Sequence, residues 1–113
     1  MQKASGTRAG FEEGSGNVFE DIGIPDPDLA LAKARLAEAI DDTIQDFGLT
    51  QEEAAEILGV DQGTVSRLVN GRLDGFSQER LIRYLNALGN DVEIIIRRTD
   101  SKGLPGRLLI GSV

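Results

Sequence analysis

Two short helical segments divided by one glycine constrain this chain more than anything else in it. Residues 50–58 read TQEEAAEIL, Gly59 follows, and residues 61–70 read DQGTVSRLVN. The Thr50 hydroxyl can accept from the Glu53 N–H while the Glu53 carboxylate reaches back to the Thr50 N–H, which starts a helix. Its apolar stripe is Ala54, Ala55 and Leu58. Gly59 is best suited to the left-handed conformation that ends a helix and redirects the chain. Asp61 then caps a second helix with an inner face of Val65, Leu68 and Val69, and Gly71 closes it.

The second helix leaves Gln62, Gly63, Thr64, Ser66, Arg67 and Asn70 outside, a face with donors and acceptors but little bulk. Such a face fits a groove. Arg can bind guanine O6 and N7 together, Gln can do the same at adenine, and Ser or Thr serves either base or a phosphate. A plain amphipathic helix pair has the same periodicity and merely wets its polar side. The glycine corner and the caps favour a helix-turn-helix, in which the second helix enters the DNA major groove.

TQEEAAEILG, VDQGTVSRLVNGR and FSQERLIRYLNALG together resemble the Cro/cI-type helix-turn-helix family of bacterial and phage regulators. The resemblance implies a lambda-repressor-like bundle. It also implies a phosphate contact from Gln51, base contacts from Gln62, Gly63, Thr64, Ser66 and Arg67, and backbone contacts near Asn70 and Arg72. Gly63 departs from the family pattern, which often places a larger polar side chain there. GNVFEDIGIPDPDLALAKARL and DVEIIIRR extend the likeness over roughly residues 16–98 to the HigA-type antitoxins. Members of that branch act with a RelE-like ribonuclease toxin. A stand-alone phage-like or metabolic repressor shares the same parts, and so does an interaction module that has lost DNA binding.

The net charge of −7 at first argues against DNA, since nonspecific affinity rests on neutralising phosphates. Its distribution answers the objection. Residues 1–61 carry four basic and fourteen acidic groups, whereas residues 62–113 carry eight basic and five acidic. Arg67, Arg72, Arg80 and Arg83 lie on or after the second helix, so a modestly basic edge sits on an acidic body. The acidic surface either maintains solubility or receives a basic partner.

The absence of Cys and His removes disulfides, thiol catalysis and the usual zinc sites, so neither metal nor cofactor is expected. Glu52/Glu53 and Asp41/Asp42 are sequence neighbours and point in different directions on a helix. With no glycine-rich phosphate loop and no nucleophile elbow, an enzyme is not expected. No apolar run approaches the roughly 20 residues of a membrane span, and cytoplasm is the expected location.

Residues 1–16 read as a disordered leader, residues 17–90 as the DNA-binding domain and residues 91–113 as a C-terminal strand region. Val18, Phe19, Ile22 and Ile24 form an apolar cluster ahead of Pro25. Asp26 caps a helix with Pro27 in its first position, and Leu29, Leu36, Ile40, Ile44 and Phe47 give it one apolar stripe ending at Gly48. LDGF reads as a loop. Ser77 caps a last helix with Leu81, Tyr84, Leu85 and Leu88 inward, Tyr84 as a core-edge aromatic rather than a DNA-stacking one.

Residues 91–98 alternate Val92, Ile94 and Ile96 with Glu93, Ile95 and Arg97, a strand pattern. A lone strand is unstable, so it pairs with residues 107–113, with its copy in a second subunit, or with both. The copy is favoured, because one recognition helix covers few base pairs and a two-fold dimer reads a palindromic operator. Val92, Ile94 and Ile96 are then the dimerisation residues. The same edge with the LLI tail could instead take a toxin strand. The expected fold is mostly α, a helix-turn-helix bundle of four to five helices with a C-terminal β-strand or hairpin.

Overall fold

The computed structural model describes residues 26–100, 103 and 106–111. The leader at 1–16 and the cluster of Val18, Phe19, Ile22 and Ile24 lie outside them. The described residues hold four helices: α1 (Asp26–Asp46), α2 (Gln51–Leu58), α3 (Gln62–Val69) and α4 (Gln78–Ala87).

α1 buries Leu29, Ala32, Leu36, Ile40 and Ile44 along one side and packs against α4 and α3, while α2 packs chiefly on α3. Gly48, at φ +64°, reverses the chain as its helix-ending position demands. The Leu49 N–H then reaches back to the Ile44 carbonyl at 3.0 Å. This reversal corrects one expectation: Phe47 lies past the last helical residue and swings out to 62% exposure, and Leu49 packs against the core in its place.

The caps predicted for α2, α3 and α4 form, whereas Asp26 is itself the first residue of α1. Thr50 and Glu53 make both bonds of the capping box, at 3.1 and 2.8 Å, and Gly59 turns the chain at φ +71°. Ser77 accepts from the Arg80 N–H at 3.0 Å to open α4. These bonds fix the entry of each helix, and the core then fixes their mutual angles.

Phe76 is the largest fully buried side chain among the described residues, at 2% exposure, followed by Ile40, Leu68, Leu81 and Val65. It sits in the α3–α4 connection, directly after Gly75 at φ +85°, which turns the chain so that the ring drops inward. The segment expected only as a loop therefore supplies a central core residue. Tyr84 meets the Phe76 ring edge to face, with centroids 6.4 Å apart, and is buried at the core edge.

Two polar ties join distant parts of the chain. The Asn90 amide donates to Thr43 Oγ1 at 3.0 Å and to the Leu85 carbonyl at 3.3 Å, linking the end of α4 to α1. Arg107 donates to both carboxylate oxygens of buried Asp28, at 2.7 and 3.1 Å. That guanidinium holds the Asp28 carboxyl below its ordinary range.

The expected C-terminal strand or hairpin does not form among the described residues. Residues 90–99 and 106–111 carry no regular secondary structure and make no backbone ladder with one another. The physical reason is that a strand exists only when its N–H and C=O groups find a partner backbone. Val92 and Ile110 are half-buried against the core, but Ile94, Ile95 and Ile96 are 76%, 71% and 93% exposed.

Candidate nucleic-acid interface

α3 owes its position to two faces. Val65 and Leu68 are buried, at 0% and 2% exposure, and lock the helix against the core. Asp61 fixes its start: one carboxylate oxygen accepts both the Thr64 N–H and the Thr64 hydroxyl, each at 2.7 Å. Those two bonds pull the Asp61 carboxyl below its ordinary range, with burial opposing them and Arg67 adding a smaller lowering.

The expectation that Thr64 faces outward is corrected by this geometry. Thr64 is 6% exposed and its hydroxyl donates to Asp61. The remaining residues expected on the outer face do lie there. Gln62, Gly63, Arg67, Asn70 and Arg72 are exposed, and Ser66 is half-exposed. Gln51, at the start of α2, is half-exposed, and its side-chain oxygen accepts from the Gln62 amide at 3.4 Å. The corner at Gly59 thus brings the first residues of the two helices together, a pairing across eleven positions that periodicity does not reveal.

The Asn70 amide donates to the Ser66 carbonyl at 2.8 Å and lies 3.4 Å from its hydroxyl. Arg67 lies over the Phe76 ring, 5.2 Å from its centroid, with a 3.4 Å contact to Thr64 Oγ1. Arg80 lies 4.9 Å from the same centroid and donates from Nε to the Tyr84 hydroxyl at 2.6 Å. Two guanidiniums therefore share one buried ring, which supports each by its π face while leaving its charge available to an anion. The sequence pattern places Arg80 only on a basic edge; the aromatic seat beneath it depends on Phe76, which sits in the LDGF loop. Among the described residues Arg67, Arg72 and Arg80 form no ion pair, whereas Arg83 is matched by Glu79 at 3.1 Å. Of these four arginines Arg83 alone is thus engaged by a carboxylate among the described residues.

Gly63 has no steric reason within the chain, since an added Cβ would meet only Asp61 Oδ1 at an ordinary 3.6 Å. The described residues contain no group of three or more acidic, His or Cys side chains able to hold a metal, and no helix long and apolar enough to cross a membrane.

A capped helix pair with a polar, hydrogen-bonding outer face on a four-helix body defines a helix-turn-helix DNA-binding domain. Residues 18–97 match the family described as "Helix-turn-helix domain", and the chain belongs to it. A solved structure, of a protein whose name places it provisionally in the XRE family of transcriptional regulators, is similar at 42% identity and a TM-score of 0.72. The similarity covers 79% of this chain and all of that one. No protein of curated function matches the sequence. The Cro/cI-type assignment and a DNA-binding regulator are thereby supported together.

The cap also sets a pH dependence. A carboxyl whose folded pKa is lowered contributes its full stabilisation at neutral pH and loses it as pH falls from about 4 through the folded value. Asp61→Asn keeps a carbonyl acceptor for Thr64 but does not titrate. Urea unfolding at pH 7 and pH 3 should therefore show a smaller acid loss for the variant than for the parent. Equal losses would mean that the Asp61 charge contributes nothing to the cap.

Proposed function

We propose that this protein is a dimeric, cytoplasmic repressor without catalytic activity, binding a palindromic operator, and that it is the autorepressing antitoxin of a toxin–antitoxin pair. The observation that carries the DNA reading is the outer edge of α3 with Gln51 beside it. Gln62, Ser66 and Arg67 stand as base readers, with Gln51, Asn70 and Arg72 on phosphates. Gly63 lets the helix backbone approach the groove closely, which accounts for a glycine that nothing inside the protomer requires. Thr64 acts on DNA only through the Asp61 cap that orients the helix.

The antitoxin part rests on the HigA-type resemblance and the acidic body, where Asp42 and Asp46, at the end of α1, are exposed and Asp41 is half-exposed. A basic RelE-like ribonuclease fits that charge, and the two surfaces would then be separable. The stand-alone repressor remains the second reading.

Binding-site selection with parent, Arg67→Ala and Gln51→Ala tests the assignment. Arg67→Ala should cost about 1–3 kcal/mol on the cognate site and flatten preference at one position. Gln51→Ala should weaken all sequences alike and lower the salt slope. An unchanged consensus for Arg67→Ala would reduce that residue to a backbone contact. In the same set, Arg67→Ala should still bind the product of the neighbouring gene and relieve its toxicity on co-expression; if that product neither binds nor arrests growth alone, the stand-alone repressor is the correct reading.

A further inference from the structure

Residues 91–99 leave the helical body at half-buried Val92 and run on with three consecutive exposed isoleucines, an apolar run that water does not favour. The order of charges around those isoleucines specifies more than a general stickiness. We propose that a second copy of this chain pairs antiparallel with residues 91–99 in a single register, the one that sets Ile95 opposite Ile95 of the partner subunit. This rests on the dimer reading above and adds its register.

A two-fold axis normal to an antiparallel pair passes between two copies of one residue, so naming that residue fixes every other pair. Centred on Ile95, the register sets Glu93 against Arg97 of the partner subunit twice over and Ile94 against Ile96 of the partner subunit twice over. Over residues 93–97 apolar meets apolar and the acid meets a base, with Val92 opposite Arg98 and Asp91 opposite Thr99 at the ends. A centre at Ile94 pairs Asp91 with Arg97 and Val92 with Ile96 but sets Glu93 against Ile95 beside the axis on both strands, and a centre at Ile96 sets Ile95 against Arg97 and Ile94 against Arg98. Centres at 93 or 97 put like charges directly opposite, which is destabilising. Val92 packs on the core, so the face it shares with Ile94 and Ile96 continues the body's apolar surface, while Ile95 with its flanking charge pairs forms the other side.

The chain has no cysteine, so introduced thiols report the register without background. Opposite residues lie about 4.5–5.5 Å apart at Cα, within disulfide reach, whereas a register displaced by two residues separates identical positions by about 8 Å. Under mild oxidation Ile95→Cys should crosslink to a covalent dimer. Ile94→Cys and Ile96→Cys alone should not, while an equal mixture of these two chains should. Glu93→Arg and Arg97→Glu should each weaken the dimer about tenfold, and the double exchange should restore it. Crosslinking of Ile94→Cys or Ile96→Cys by itself, with the parent still a dimer in sedimentation, would overturn the register and keep the dimer. A parent that sediments as a monomer at every concentration tested would overturn both.

Discussion

Phe76→Ala is expected to be the most destabilising single change in the domain, by about 3–5 kcal/mol in urea unfolding. The ring is 2% exposed, touches Tyr84 edge to face, and seats the guanidiniums of Arg67 and Arg80. Truncation leaves a cavity between α3 and α4 and removes both cation–π contacts at once. Domains of this size have a total stability of roughly 5–15 kcal/mol, so about a fifth of it or more is at stake. Phe76→Leu separates the two contributions. It refills most of the volume and should cost less than about 1.5 kcal/mol in packing, yet it takes away the aromatic surface beneath the arginines. Operator affinity should then fall in a protein that remains folded. A loss below about 1 kcal/mol for Phe76→Ala would show that the α3–α4 connection is not part of the cooperative core.

The contrast between Phe76 and the caps explains what could be read from the residues alone. Capping chemistry is local: Thr50 with Glu53, Asp61 with Thr64 and Ser77 with Arg80 are each three apart, so residue type and spacing already define the bonds. The starts of α2, α3 and α4 follow from them within a residue. Phe76 has no periodic neighbour to mark it as core, and only the three-dimensional closure of the bundle puts the ring inside. Thr64 fails for a related reason. Its hydroxyl counts it as polar, although its spacing of four from Leu68 places it on the buried side. The Gln51–Gln62 contact, the Asn90–Thr43 bond and the Arg107–Asp28 pair span 11, 47 and 79 positions, beyond what any local pattern encodes. On the candidate site, residue types were legible and their mutual engagement was not. The C-terminal segment shows the converse, a strong β pattern with no ladder among the described residues, because the pattern names a strand but not its partner.

Replacing Ile94 and Ile96 together by Lys should give a folded monomer whose operator affinity is lower by about a hundredfold or more. The protomer should tolerate the change, since both side chains are already exposed and surface substitutions seldom move stability by more than about 0.5 kcal/mol. The dimer should not. Burying an Ile is worth about 1.5–3 kcal/mol, so four of them contribute about 6–12 kcal/mol, which is comparable to the roughly 4–15 kcal/mol that association costs in lost freedom. Backbone pairing and the charge pairs then decide the balance, and four ammonium groups in place of four isoleucines reverse it. DNA binding follows because a two-fold pair holds its recognition helices about 34 Å apart, one turn of the duplex, and a single helix forfeits half the contacts. Sedimentation should report the monomer, circular dichroism an unchanged helix content, and gel shift the lost affinity. An unchanged dimer would place the interface on the helices or the N-terminal segment, and a monomer with full operator affinity would show that this domain reads its site as a single copy.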